Sequence, residues 1–295
     1  MKKLICILLI FYTFTQMLAQ QVPDTIYKPN IIQKYSGIIY VDHAHNNFHR
    51  IDNRFKPFAN VLRTAGYSLK GFENKFTEKN LRNVKILVIS NALSSNARSP
   101  FITPTESAFT KEEIKIVKEW VAKGGALFII ADHMPFAGAS KDLGKAFGFK
   151  FYDSFLFDEN RRGIFDFTLA DKTLGEHEVV SKSKISKIRT FTGQAFEIPD
   201  KATSILKTTE KLTVYLPDTM WRFSEKTKRF PAKNLSQGAV LNYKKGKIAV
   251  FGEAAMFTAQ LAGRNRFKVG MNSEDAKENY KLLLNIIAWL QKEEN

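Results

Sequence analysis

Six consecutive apolar residues, Ala126 to Ala131, stand between the pair Gly124-Gly125 and the pair Asp132-His133. A run this short and this uniformly apolar suits a strand covered on both faces, as in the interior of a parallel sheet. Ionisable groups appear where the run stops, and in open α/β sheets ligands bind beyond the carboxyl ends of the strands. The stretch therefore predicts both a fold class and the place of a functional site.

The flanking sequence repeats the same alternation. Tyr35 to Asp42 reads as a strand ending in a carboxylate, and Phe55, Phe58, Val61, Leu62 and Ala65 fall on one helical face that Gly66 terminates. A short strand around Tyr67 to Phe72 and a stronger one from Lys85 to Ile89, ending in Ser90-Asn91, follow. Thr110-Lys111-Glu112-Glu113 is a capping box, opening a helix that carries Ile114, Val117, Trp120 and Val121. From Phe147 to about Gln237 the pattern loosens, which predicts an insertion or an antiparallel extension lying over the sheet. A hairpin is expected from Gln237 to Tyr243 and Lys247 to Gly252, and a last helix from Asp275 to Gln291. The order β-α-β-β-α-β predicts a mainly parallel α/β sheet whose strands are joined by right-handed crossovers.

The amino terminus has its own logic. Met1-Lys2-Lys3, an apolar core from Leu4 to Phe14 and Ala19 before Gln20 have the form of a secretory signal peptide spanning 1–19. The apolar run is shorter than the ~20 residues of a membrane-spanning helix. Export to a periplasm or beyond is expected, with 20–295 folding as a single domain. The only cysteine, Cys6, lies inside that leader, which leaves the remainder without a disulfide or a thiol nucleophile. Removing Lys2 and Lys3 takes the net charge from +16 to +14, with 43 basic against 29 acidic residues. No recognition motif accompanies the lysines, so nucleic acid is not expected as a partner.

Residues with reactive chemistry gather at the predicted strand ends. These are Asp42, His43, His45, Asn46, Asn47 and His49 after the first strand, Ser90-Asn91 after the third, Asp132-His133 after the central one, and Glu253 after the last. Four of the five histidines lie in these segments. Three chemistries fit. A divalent metal could draw on His45, Asp132 and His133, with Asp42 and Glu253 nearby, although no metal-protease spacing is present. Metal-free acid–base catalysis needs only Asp132 or Glu253 opposite a histidine. Recognition of sugar hydroxyls is the third, through Asn46, Asn47, Asn91, Asp132 and His133 beside Phe48 and Phe136.

Plainer roles compete with these. His43 fits a strand cap, His49 a stack on the helix start, Asp42 and Asp132 helix N-caps, and Glu253 an acidic first helical turn.

Four segments carry a family resemblance: Tyr40 to Asn47, Gly124-Gly125 with Ala131 to Phe136, Phe191 to Phe196, and Gly252 to Phe257. Together they resemble an exported bacterial family without an assigned activity, in the class I glutamine-amidotransferase-like superfamily. Its relatives include ThuA-like proteins and the amidotransferase-like domains of intraflagellar transport proteins. The resemblance implies a flavodoxin-like sheet, adds Gln194 to the ligand-binding set, and through the ThuA-like relatives points to a carbohydrate. It departs at the nucleophile: amidotransferases carry a cysteine after the central strand, where this chain reads Ala131-Asp132-His133, so glutaminase chemistry is excluded.

The resulting expectation is a hydrolase of a carbohydrate or related polar ligand. Asp132, His133 and Glu253 are the catalytic candidates, and Asp42, His45, Asn46, Asn47, Asn91, Phe136 and Gln194 bind the ligand. A non-catalytic sugar- or protein-binding module of the cell envelope is the alternative. A structural alternative, a scaffold subunit using the fold for protein contacts, is favoured if the chain's own loop around Phe191 to Phe196 fills the strand ends. Buried histidines disfavour it, since a scaffold has no need of them.

Overall fold

The computed structural model describes residues 20–21, 35–95 and 101–292. The predicted leader, including Cys6, lies outside the described residues. In chain order the elements are β1 (Gln20–Gln21), β2 (Ile38–Asp42), α1 (Lys56–Thr64), β3 (Ser68–Phe72), α2 (Glu78–Leu81), β4 (Ile86–Ser90), α3 (Lys111–Ala122), β5 (Ala126–Ile130) and α4 (Phe136–Ala146). The looser region supplies β6 (Phe155–Asp158), β7 (Ile164–Thr168), α5 (Glu178–Ser181), β8 (Lys187–Phe191), β9 (Thr203–Lys207), β10 (Leu212–Leu216) and β11 (Lys228–Pro231). The chain continues through β12 (Ser236–Tyr243), β13 (Gly246–Phe251), β14 (Ala259–Ala262), β15 (Phe267–Gly270) and α6 (Asn279–Gln291).

Seven strands form the central sheet in the order β3-β2-β4-β5-β13-β12-β9. The first five are mutually parallel, and their order is the flavodoxin-like 2-1-3-4-5. β12 then returns antiparallel to β13 as the predicted hairpin, and β9 pairs antiparallel to β12. Alternate side chains of β5 enter two separate cores. Ala126, Phe128 and Ile130 face the cluster containing α1 and α6, while Leu127, Ile129 and Ala131 face the one containing α3 and α4. Two apolar faces explain why the strand is apolar throughout.

The 147–237 region is the antiparallel extension anticipated, with one addition. β6 and β11 flank β10 in a small sheet, β7 pairs with β8, and β9 leaves this group to join the central sheet. After Asp132-His133 the chain enters a helix almost at once, since α4 begins at Phe136.

Register fixes the site edge. Ser90 lies opposite Ile130, and Ile130 opposite Phe251. Three adjacent parallel strands thus stop in one row, and Asn91, Asp132 and Glu253 emerge side by side.

Candidate functional site

The carboxyl edge divides into three groups that do different work. The first surrounds His45. Its Nδ1 lies 2.9 Å from each carboxylate oxygen of Asp42, and its Nε2 lies 3.1 Å from Glu113 Oε1. Asn47 donates to Asp42 Oδ2 at 3.0 Å and to the Ser90 carbonyl at 3.2 Å. Phe76 and Phe109 pack on the imidazole with ring centroids 4.5 and 4.8 Å away. Burial opposes a charge on His45, but hydrogen bonds and attraction from Asp42 and then Glu113 outweigh it and raise its pKa. Glu113 is also the third residue of the capping box that starts α3, accepting from Thr110 N and Thr110 Oγ1. Sequence exposed the capping box but not its second use, because nothing local links Glu113 to His45.

His43 and His49 have the plain roles expected. His43 Nδ1 lies 2.8 Å from Glu73 Oε1, and its Nε2 accepts the Ile51 amide at 3.2 Å. His49 stacks on Phe55 at 4.8 Å and contacts Ser90 Oγ at 3.2 Å, and burial holds its pKa down at about 3.

The second group ties β4, β5 and β13 together. Asn91, at φ 48°, accepts the Asp132 amide on Oδ1 at 3.0 Å. Asp132 accepts from the amides of His133 at 2.7 Å and Ala254 at 3.3 Å. Glu253 is fully buried and accepts from the Ala255 amide and, at 2.8 Å, the Met256 amide, so it stitches the short helical turn Ala255–Phe257. Burial first, and the neighbouring Asp132 charge second, raise its pKa well above the carboxylate range despite those amides. The loop Thr192 to Gln194 closes over this end. Gln194 donates from Nε2 to Ala131 O at 2.8 Å and from its backbone amide to Gly252 O at 2.7 Å. The chain's own loop therefore covers the end of β13, and Asp42, Asn47, Asn91 and Gln194 are buried struts.

The third group opens outward. His133 is half-buried, with Nδ1 2.6 Å from the Met134 carbonyl. A carbonyl can only accept, so Nδ1 carries the hydrogen, and in the neutral ring the Nε2 lone pair is free of any partner among the described residues. The ring stacks on Phe155 at 4.5 Å and meets Trp221 edge to face at 4.9 Å. Phe136 closes another side at 6.2 Å, and itself meets Phe48 at 5.4 Å. Asp153 stands nearby, held by Thr105 Oγ1 and the Gly138 amide, and burial raises its carboxyl above the ordinary carboxylate value. Trp221, Asp153 and Thr105 were not identifiable from sequence, because they come from the irregular segments. Asn46 is exposed, with its Nδ2 3.4 Å from the Leu93 carbonyl.

These donors do not fit a shared metal ion. Both ring nitrogens of His45 face carboxylates and His133 Nδ1 faces a carbonyl, and no set of three or more metal-binding side chains converges among the described residues. A cavity of about 900 Å³ lies at the opposite edge of the sheet, between Lys85, Trp120, Gly125 and Lys247. That edge holds the strand starts, away from the polar groups just described.

No protein-family model matches the chain, and no curated protein matches it in sequence. Among solved structures the chain is similar to the mmIFT52 N-terminal domain, with 14% identity, 87% of this chain and 99% of that one covered, and a TM-score of 0.59. It also resembles a ThuA-like protein from Parabacteroides merdae ATCC 43184, with 12% identity, coverage of 88% and 91%, and a TM-score of 0.47. A third is cytoplasmic protein STM1381 from Salmonella typhimurium LT2, with 12% identity, coverage of 88% and 100%, and a TM-score of 0.49. The likeness to the mmIFT52 domain supports the flavodoxin-like fold and, at that identity, nothing beyond it.

Proposed function

We propose that the protein is an exported hydrolase of a carbohydrate or related polar ligand, with His133 as the proton-transfer group. The observation that carries this reading is the state of His133. Its tautomer is set by a main-chain carbonyl, its Nε2 has no partner among the described residues, and it sits against an indole that is 40% exposed. An imidazole so oriented can take a proton from water or a ligand hydroxyl, a contribution worth about 10²–10⁴ in rate. Asp132 then acts as a positioning group, because its carboxylate shapes the turn that presents His133. Glu253, fully buried, holds the adjacent turn Ala255–Phe257 through the Ala255 and Met256 amides. Export rests on the leader pattern of residues 1–19.

A second reading, sugar or protein binding without turnover, is favoured by one observation. Asp132 and Glu253 both spend their oxygens on backbone amides, which suits holding loops more than moving protons.

A panel of aryl glycosides and esters separates the two. His133→Asn keeps a donor near Met134 O and lacks the distal nitrogen, and is expected to lower kcat at least a hundredfold with the melting temperature retained. Unchanged kcat in that variant removes His133 from the chemistry. No turnover of any substrate by the wild type, with retained glycan binding, selects the second reading.

A further inference from the structure

The connection from β10 to β11 folds back on itself and lines an open surface cavity of about 520 Å³, within the ~300–1,000 Å³ usual for small-ligand sites. The loop is built rather than loose. Thr103 donates to the Asp218 carbonyl at 3.0 Å, Met220 to the Phe101 carbonyl at 2.8 Å, and the Ser224 amide to Thr227 Oγ1 at 2.8 Å. Phe223 anchors it on Phe155, Phe157 and Tyr215, with centroids 5.3, 5.4 and 6.0 Å apart.

Trp221 is the shared wall. It lines this cavity and also meets His133. Its backbone is at φ 62°, a conformation unfavourable for a bulky side chain. Residues held there concentrate at ligand sites. The other walls supply two complementary kinds of group. Thr219 and Thr227 bring hydroxyls, while Arg222, Lys226 and Lys228 bring three exposed cations. None of the three is in an ion pair among the described residues, and Asp218 is the only acid lining the cavity. An indole face with hydroxyls suits a sugar ring, and three cations lining the same cavity suit its negative substituents.

We infer that this cavity is a subsite for an anionic sugar, carrying carboxylate or sulfate groups, next to the His133 site. The inference rests on the carbohydrate reading above and names the substrate class. A basic surface scattered over a convex face would raise the affinity for any polyanion alike. A walled subsite discriminates by ring and charge together.

The test is calorimetric binding of four probes to the protein: a galacturonic acid hexamer, a heparin-derived hexasaccharide, maltohexaose and a hexathymidylate. One or both acidic sugars should bind at least tenfold more tightly than maltohexaose, and which one distinguishes carboxylate from sulfate. The variant Arg222→Gln/Lys226→Gln/Lys228→Gln, altered only at exposed positions, should lose that preference. Trp221→Ala should weaken acidic and neutral sugars together. Equal binding of acidic and neutral hexamers overturns the inference, as does an unchanged preference in the triple variant or hexathymidylate binding as tightly as the sugars. Because binding is read without turnover, an acidic preference in a protein that hydrolyses nothing keeps the subsite and discards only the hydrolase. Turnover that depends on His133 without an acidic preference does the reverse.

Discussion

His45 and Asp42 share a bifurcated contact, Nδ1 lying 2.9 Å from both carboxylate oxygens, in a pocket where Asp42 is wholly buried and His45 is 6% exposed. With Glu113 on the other ring nitrogen, the imidazolium fastens the end of β2 to the first turn of α3. Breaking one member of a buried charge set costs about 3–5 kcal/mol, since the remaining charges are left uncompensated. His45→Gln should lose about 3 kcal/mol in urea unfolding. The loss should depend on pH. A raised histidine stabilises fully below its ordinary value of 6.5 and loses that contribution as pH climbs through the higher folded value. Glu113, lowered despite its burial by the Thr110 and His45 contacts, stabilises fully above 4.5 and loses that contribution as pH falls through its depressed value. The gap between wild type and His45→Gln should therefore be widest between about pH 4.5 and 6.5 and narrow above; a gap independent of pH refutes the charged clasp.

Gly138 shows how closely Asp153 is pressed into the start of α4. A Cβ at Gly138 would lie 2.4–2.7 Å from the Asp153 carboxyl group, while the Gly138 amide donates to it at 3.1 Å. Glycine inside a helix ordinarily costs about 1 kcal/mol relative to alanine. Here the exchange should go the other way. Gly138→Ala is expected to lower the melting temperature by several degrees in the wild type and to raise it in an Asp153→Ala background. The same sign in both backgrounds would show that Asp153 is not what requires the glycine.

The elements that position the site were legible because each is a local pattern. The Ala126–Ala131 run, the Thr110–Glu113 capping box and the hairpin around Lys244-Lys245 all appear where periodicity and turn chemistry place them. Residue roles were less legible, because a strand-end position marks proximity to the site and says nothing of where polar atoms are spent. Asp42 and Glu253 look alike in sequence as carboxylates closing a strand, yet one holds a histidine and the other the amides of Ala255 and Met256. Trp221 lay beyond reach altogether. Its approach to His133 depends on the bridge between Ile102 and Thr219, a contact between distant segments without regular secondary structure.

Asp132 and Glu253 offer the most direct test of the electrostatics at this edge. Burial raises Glu253 first, and the Asp132 carboxylate raises it further. A carboxyl group raised in the folded state contributes stability that is complete below its ordinary 4.5 and disappears as pH rises through the folded value. Wild-type stability should thus decline on the alkaline side, in addition to the decline from His45. Asp132→Asn removes the second cause and lets the folded Glu253 value fall back toward 4.5, so the decline contracts. The amide also sets a donor against the backbone amides of His133 or Ala254, at a cost of about 1–3 kcal/mol that does not vary with pH. Urea unfolding at pH 5 and pH 8 separates the two effects. The variant should be less stable at both values but lose less between them than the wild type does. Parallel curves would mean that the Asp132 charge does not reach Glu253, and the carboxyl pair would then be two independent loop anchors.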